Sequence, residues 1–318
     1  MTLMEGDYSL STGTTGRFAK EQADRLLGRL AVQVARTIKS HSAAEVHDLR
    51  VAIRRFSNLL VLLKPCFSVK ESRKIRRKLK KIMAQAGTVR DHDIALRLVA
   101  KLVPSTSNAM ASQFRTERKE SAETLAVSLK RWLRRNSSAK WREALEVEVA
   151  ANDFCADAIG VTGRRMLPRM AKEYFRCGKD ATHDKARPEE LHRFRISSKN
   201  FRYTLDLLAP LYGASVNALL QQLKEVQTLL GDVNDCATAQ RMVSRHGGGR
   251  DILAELKKRQ RKKTERFREH WRSAFTSEAV VRRWIENLRD VGGQVRAPRK
   301  PPARSVPLAF DAGRSISA

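Results

Sequence analysis

The chain has 318 residues, of which 42% are hydrophobic, and its 63 Lys and Arg outnumber 34 Asp and Glu to give a net charge of +29. This length suits two modest domains or one large one, while four dispersed cysteines and the lack of any apolar stretch of ~20 residues argue against a disulfide scaffold and a membrane span. The charge favours a polyanionic partner (nucleic acid, polyphosphate or an anionic membrane surface), and we expect a soluble cytoplasmic protein.

Helical periodicity dominates from about residue 17, after a Ser-, Thr- and Gly-rich segment, 1–16, that we predict to be disordered. Pro65 should end one helix and Gly87 the next, and Asp91 is placed to cap the helix that follows. The first half is therefore predicted to contain helices at 26–40, 45–63, 70–86, from 91 onward, and at about 106–135.

The run Asn136-Ser137-Ser138 interrupts this pattern and is the predicted boundary between two helical halves. We divide the chain into a first half, 17–138, and a second half, 139–290, whose residues 139–158 are a connecting segment. The tail, 291–318, is rich in Pro, Arg and Ser and is predicted to be disordered.

In the second half Pro188 suits the first turn of a helix that Pro210 should end, and residues 177–187 are interpreted as a polar loop. Further helices are predicted within 141–150 and at 164–176, 216–230, 234–245, 250–275 and 278–290.

Two segments of the first half recur in the second. Residues 46–67 align without a gap with 191–212, and residues 79–99 align with 223–243. Aligned identities include His47/His192, Arg50/Arg195, Phe56/Phe201, Gly87/Gly231, Asp91/Asp235 and Arg97/Arg241. We infer a tandem duplication and predict an all-α fold, in which two helical bundles related by pseudo-two-fold symmetry surround a basic central groove or pore.

Each repeated helix carries a polar and basic stripe opposite its apolar face, at ~100° of rotation per residue. The stripes consist of His47, Arg50, Arg54 and Asn58 in the first copy and His192, Arg195, Lys199 and Tyr203 in the second, with Arg202 at the edge. No carboxylate occupies these positions, so the charges have no local partner. Arg and Lys offer charge and donors to phosphate oxygens. A solvated polar face is the alternative interpretation, which the repetition disfavours.

Further basic residues flank the two stripes. Arg55 lies beside the first, and Lys80 and Lys224 occupy aligned positions, so all three are included as candidates. The rest of the basic run at 70–81 is interpreted as a general electrostatic collar or a solvated surface. The basic helix at 257–272 is either solvated or an accessory anion surface.

His-Asp pairs occur at His47-Asp48, His92-Asp93 and His183-Asp184, as in metal-dependent phosphohydrolases. The aspartates are not repeated, because Asp48 aligns with Arg193 and Asp93 with Ala237. The chain also lacks a P-loop, a dinucleotide fingerprint, GxSxG and HExxH. We therefore expect no enzymatic activity, no cofactor and no metal site.

At the two stripe helices the sequence resembles the conserved histidine α-helical domain (CHAD) family. The resemblance is carried by HDLRVAIRRF at 47–56 with AGTVRDHDIA at 86–95, and by HRFRISSKNFRY at 192–203 with LGDVNDCATA at 230–239. It implies two helical bundles around a basic pore, binding of inorganic polyphosphate and targeting to polyphosphate granules. It implies contacts from His47, Arg50, Arg54, His192, Arg195, Lys199, Arg202 and Tyr203. The ExExK sequence of a fused triphosphate tunnel domain is absent, since Glu146-Val147-Glu148 is not followed by Lys.

The function expected from the sequence is non-catalytic binding of inorganic polyphosphate, as a scaffold or targeting module at polyphosphate granules in the cytoplasm. The alternatives are a nucleic-acid or nucleoid-associated binder and a metal-dependent phosphohydrolase. Dispersed tryptophans give base stacking little support, although weak non-specific binding to nucleic acid is expected of so basic a chain. The candidate polyphosphate-binding residues are His47, Arg50, Arg54, Arg55, Lys80, His192, Arg195, Lys199, Arg202, Tyr203 and Lys224.

Overall fold

The computed structural model describes residues 13–102, 109–146, 153–247 and 249–290, which are almost entirely helical and contain no strand beyond an isolated bridge between Thr14 and Ala158. Three short 3-10 turns connect some of the helices. The α-helices in these ranges are α1 (Thr15–Ser40), α2 (Ala43–Leu62), α3 (Val69–Val99), α4 (Ala109–Arg134), α5 (Ser137–Ala144), α6 (Asp153–Ala156), α7 (Ile159–Thr182), α8 (Pro188–Leu208), α9 (Asn217–Arg245), α10 (Arg250–Phe275) and α11 (Glu278–Asp290). The all-α prediction is confirmed.

Capping residues and prolines set where the two stripe helices, α2 and α8, begin and end. At the start of α2 the Ser42 hydroxyl accepts a hydrogen bond from the Glu45 amide at 3.2 Å, which satisfies one of the free donors of a first turn. The first residue of α8 is Pro188, and the carboxylate of Glu190 accepts from the Arg187 amide at 2.7 Å. Both helices end two or three residues before a proline, as predicted, and the chain continues as a 3-10 turn.

Neighbouring helices in the chain pack in pairs, α1 with α2, α3 with α4, α7 with α8 and α9 with α10, while α3 packs on α9 and α2 on α8. One large hydrophobic core draws on both halves of the chain. It contains the stacked Phe56 and Trp141 rings and an aromatic group around the fully buried Tyr174. A second, smaller core joins the C-terminal ends of α3 and α9 to α4 and α10. Burial of apolar faces therefore holds α2, α3 and α8 in a fixed relation.

The breaks predicted at Gly87, Asp91 and residues 231–233 are wrong, because α3 and α9 each run unbroken. Gly inside a helix costs only about 1 kcal/mol relative to Ala. Packing of buried residues on either side, such as Ala86 and Val89, offsets that cost. The polar loop predicted at 177–187 is also shorter, since α7 continues to Thr182.

Asp91 and Asp235 pair with arginines of the opposite half and do not act as helix caps. An Asp91 carboxylate oxygen lies 3.2 Å from Arg241, and Asp235 accepts a hydrogen bond from Arg97. These four residues occupy two pairs of aligned positions, so the contacts are reciprocal between α3 and α9. Reciprocity is what a two-fold relation between these helices would produce. The duplication and the pseudo-symmetry of the whole bundle stay predictions.

Both segments predicted to be disordered fall mainly outside the described residues, which exclude 1–12 and 291–318. Residues 13–16 are described, and α1 begins at Thr15. The Thr14 hydroxyl accepts from the Arg17 amide at 3.2 Å, and the Thr15 hydroxyl donates to the Asp157 carbonyl at 2.8 Å. Only part of the helix predicted at 141–150 can be compared, because residues 147–152 lie outside the described ranges.

None of the helices in the described ranges is both long enough and apolar enough to cross a lipid bilayer.

Replacing Gly178 of α7 with alanine should destabilise the protein by about 1–3 kcal/mol, because a core with no free space must move to admit the added methyl group. A Cβ atom there would lie 2.1 Å from ring atoms of Trp271, which is only 2% exposed. Gly28→Ala in α1 is the control, since nothing lies within 4 Å of its Cβ position, and it should stabilise by ~0.5–1 kcal/mol. Urea unfolding measures both free energies. Similar values for the two variants would contradict the tight packing of α7 on α10.

Candidate anion-binding site

A cavity of about 880 Å³ lies between α2, α3 and α8, with Met170 of α7 at one side. Its cationic lining consists of Arg50, Arg54, Arg73, Arg76, Arg77, Lys80, Arg195 and Lys199. None of the described residues that line it is acidic. Ser57, Asn58, Asn200 and Thr204 add hydrogen-bonding groups. The cavity therefore combines high positive charge with many donors.

The helix periods explain how these side chains reach the cavity. In α2 the residues Ile53 and Phe56 face the core, which turns Arg50 and Arg54 to the other side. In α3 four cationic residues follow the spacing i, i+3, i+4 and i+7, which places them on one face, while Ile75 and Leu79 are buried.

Two guanidinium groups in the cavity have a buried donor without an acceptor among the described residues. The Nε atoms of Arg54 and Arg195 are buried and make no hydrogen bond with the described residues. Arg50 makes one long bond, from Nη1 to the Met83 carbonyl at 3.4 Å. A buried donor without an acceptor costs roughly 1–3 kcal/mol, so an oxyanion in the cavity would relieve that cost.

Burial and mutual repulsion lower the pKa values of the central cations. Burial, followed by the charges of Arg195 and Arg54, lowers the pKa of Lys199 to about 7. Burial and the charge of Arg54 lower the pKa of Arg50 to about 10, and the same two causes lower the pKa of Arg195. The protein thus holds like charges together without neutralising them, which favours binding of an anion.

Two carboxylates that act on the cavity arginines belong to the ion pairs between α3 and α9. Asp235 and Asp91 partly offset the lowering of the pKa of Arg195, and Asp91 does so for Arg50. Asp91 is already engaged by Arg241, and Asp235 by Arg97. Burial raises the pKa of Asp235 itself. These aspartates therefore reduce the repulsion among the cavity cations although they do not line the cavity.

Some of the predicted site residues meet in this cavity and others do not. Those that line it are Arg50, Arg54, Lys80, Arg195, Lys199 and Tyr203. His47 and His192 are exposed and lie outside the lining, as does Lys224. Partial burial of the imidazole and then the charges of Arg90 and Arg54 lower the pKa of His47.

Arg55 and Arg202, also predicted, make contacts within the protein. A nitrogen of Arg55 lies 3.2 Å from the Asp206 carboxylate, outside the cavity. Arg202 donates from Nε to Gln227 at 2.7 Å, lies 3.8 Å from Asp206, and packs its guanidinium 5.0 Å from the centre of the Tyr203 ring. Both arginines therefore support the stripe helices, and neither points into the cavity.

The cavity is also lined by Arg73, Arg76 and Arg77, which were predicted only to belong to a general electrostatic collar or a solvated surface. Their heptad-like spacing with Lys80 was the signal that identifies a common face. Continuing the aligned register into α9 places Asn217, Leu220 and Gln221 at the corresponding positions. The basic wall is thus a property of α3 alone.

The His-Asp pair of the phosphohydrolase hypothesis makes structural contacts. The Nε2 atom of His92 lies 3.1 Å from Glu117, and Asp93 lies 3.1 Å from Arg118. Within the described ranges, no three His, Cys, Asp or Glu side chains converge with the geometry of a metal site.

The CHAD domain family model matches residues 21–244. The chain belongs to the CHAD domain family. The crystal structure of the CHAD domain from the plant Ricinus communis is similar, with a TM-score of 0.61 and 17% identity over 87% of this chain and 93% of that one. PptA from Streptomyces chartreusis is similar with a TM-score of 0.58 and 14% identity, over 83% of this chain and 100% of that one. Among curated proteins, no sequence matches this chain.

At these identities the two structures establish that the fold is shared. They do not assign a function to any individual residue of this chain. The basic lining of the cavity therefore rests on the side chains of this structure alone.

The Lys199 amine should titrate near pH 7, because burial and its cationic neighbours lower its pKa to about that value. Sulfate, whose charge is constant around neutral pH, should raise the midpoint by favouring the ammonium form. Oxyanion affinity should therefore fall as the pH rises through neutrality. Lysine side-chain nuclear magnetic resonance measures the midpoint, and Lys199→Arg identifies the signal. A set of lysines that all titrate near the ordinary value of 10.5 would contradict the burial of this amine.

Gly87→Ala should weaken anion binding several-fold, because the added Cβ would lie 3.1 Å from Arg50 Nη1 and displace that guanidinium. Gly231→Ala is the matched control at the aligned position of α9, where nothing lies within 4 Å. Isothermal titration with pyrophosphate compares the two variants. Equal affinities would show that the position of Arg50 does not depend on the glycine.

Proposed function

We propose that this CHAD protein binds inorganic polyphosphate in the cavity between α2, α3 and α8, and that it does not hydrolyse the polymer. One observation carries the proposal. Eight cationic side chains line the cavity, no described carboxylate joins them, and the buried Nε atoms of Arg54 and Arg195 have no protein acceptor.

Polyphosphate suits this cavity better than the other polyanions do. The polymer carries about one negative charge per phosphate unit and no bases, so it needs converging charge and donors only. Nucleic acid would need surfaces for groove contacts or aromatic rings for stacking. In the cavity the only aromatic side chain among the described lining residues is Tyr203, which is 4% exposed and engaged with Arg202.

Binding without turnover is the expectation from the kind of residues present. Hydrolysis of a phosphoanhydride normally uses metal ions held by carboxylates, together with a base that positions water. The described lining supplies cations, hydroxyl groups and amides. A protein of this kind would serve as a scaffold or a targeting module, and we propose a place for it at cytoplasmic polyphosphate granules.

The test is a titration of the full chain with long-chain polyphosphate at about 150 mM salt, where exposed charges are screened beyond ~8 Å. Duplex DNA at equal charge is the competitor, and a gel of the same samples reports chain length. We expect tight binding that DNA does not reverse, with chains intact. Displacement by DNA would support a nucleic-acid binder, and shortened chains would indicate an enzyme.

Arg54→Gln with Arg195→Gln should weaken polyphosphate binding by at least about tenfold, since each lost charge-assisted hydrogen bond is worth about 1.5–3 kcal/mol. The control is Lys257→Gln with Lys258→Gln, which removes the same charge from exposed positions of α10. That variant should lose less than about threefold, because it alters only the screened long-range field. Thermal unfolding verifies that both variants fold. Equal losses of affinity in the two variants would show that net charge, and not the cavity, determines binding.

A further inference from the structure

We propose a second oxyanion site, on the side of the α2–α8 contact away from the large cavity, formed by Arg25 and Arg29 of α1 and Arg55 of α2. It would take a short phosphate segment, such as pyrophosphate or the end of a polyphosphate chain. The site shares its ligand class with the proposed function and uses different residues.

A small cavity shows where the three arginines converge. It has a volume of about 160 Å³ and is lined by Arg25, Arg29 and Arg55 together with Tyr203 and Asp206 of α8. The same arginines also line an adjoining groove of about 560 Å³ between α1 and α2, which Arg36 extends. Three forked guanidinium groups around a small space are suited to a tetrahedral oxyanion.

The carboxylates at this site are too few for the arginines. Asp206 is shared, since it lies 3.2 Å from Arg55 and 3.8 Å from Arg202. Asp24, at the groove, lies 2.9 Å from Arg142. Asp48 also borders the groove, and no arginine of the site is within ion-pair distance of it among the described residues.

The arginines of the site retain free hydrogen-bonding capacity. Arg25 donates from Nε to the side-chain amide oxygen of Gln22 at 2.9 Å, so its partner is neutral. Within the described part of the chain, Arg29 and Arg36 have no carboxylate within ion-pair distance. The Nε atom of Arg55 is buried and has no acceptor among the described residues. The site thus has unneutralised charge and an unsatisfied buried donor, as the large cavity does.

Repulsion between the arginines acts at this site as well. Partial burial, followed by the charges of Arg29 and Arg55, lowers the pKa of Arg25. A bound anion would remove that repulsion.

A wall of side chains separates the two sites. Tyr203 lines both cavities and is 4% exposed. Beside it the Asn58 side chain donates to the Thr204 hydroxyl at 3.2 Å, and Arg55 bonds Asp206, so α2 and α8 are tied together between the cavities. We therefore expect each site to bind an anion of its own. Because Arg25 and Arg29 are exposed, the second site should bind more weakly and depend more strongly on salt.

The test is isothermal titration of the full chain with pyrophosphate at low ionic strength, with three double variants. Arg25→Gln with Arg29→Gln should remove the weaker of two binding events. Arg54→Gln with Arg195→Gln should remove the stronger one and leave the weaker. Lys20→Gln with Lys39→Gln, which removes two exposed cations from the same helix α1, is the control and should retain both.

The outcomes separate this inference from the proposed function. If the α1 variant matches its lysine control, the second site is overturned, whatever the cavity variant does. If the α1 variant loses an event and the cavity variant loses none, the second site stands and the proposed function fails. Thermal unfolding verifies that each variant is folded. The single variant Arg29→Gln leaves the Arg25–Gln22 hydrogen bond in place. It should still weaken the weaker binding event at least about threefold, because the site loses one cation.

A competition identifies the source of the phosphate. Long-chain polyphosphate is added at one chain per protein before pyrophosphate. If the weaker event disappears in the wild type, the polymer itself supplies the phosphate to the second site. If that event persists, the site takes free oligophosphate. Either result supports the site, provided that the α1 variant lacks the event.

Discussion

Repulsion among cationic side chains that the protein does not neutralise is the constraint on which the rest of this structure depends. Burial, followed by repulsion from cationic neighbours, lowers the pKa values of Arg50, Arg195 and Lys199. The buried Nε atoms of Arg54 and Arg195 have no acceptor among the described residues. Such a cluster destabilises the isolated protein and is stable only where the surrounding helices cannot move apart. Favourable packing in other parts of the fold therefore has to offset this repulsion, and a bound anion would neutralise the cations.

That packing is apolar and links the two halves. Phe56 and Phe201 are buried on the faces of α2 and α8 opposite their stripes, within one core that spans both halves. At the other end, Phe114 packs between His92 and His246, and Glu117 accepts hydrogen bonds from both imidazoles at 3.1 and 2.7 Å. Burial raises the pKa of Glu117, but the hydrogen bonds from His246 and His92 outweigh it, so that this pKa is lowered. The backbone carbonyl of Met242, followed by Glu117, raises the pKa of His246. Because this packing fixes the helices around the cavity, its cationic side chains can remain close together despite their repulsion.

The stripe helices show what a single sequence predicts well. The spacing of His47, Arg50 and Arg54 opposite an apolar face is a local property of one helix, and the prolines that follow each helix set its end. Tertiary contacts decided the rest. Gly87 does not end α3, because packing on both sides carries the helix through it, and there it leaves room for Arg50.

By itself, then, the sequence determined an all-α chain, the faces of its helices and an excess of positive charge with no local partner. Helix period and composition are local properties, so they can be read without coordinates. Only the tertiary structure decided which basic residues share a space. It brought Arg73, Arg76 and Arg77 of α3 to the stripes, and it turned Arg55 to the opposite side of the α2–α8 contact. The reason is physical: a helical wheel gives the direction of a side chain about its own axis, whereas the helix that it faces depends on how distant elements pack.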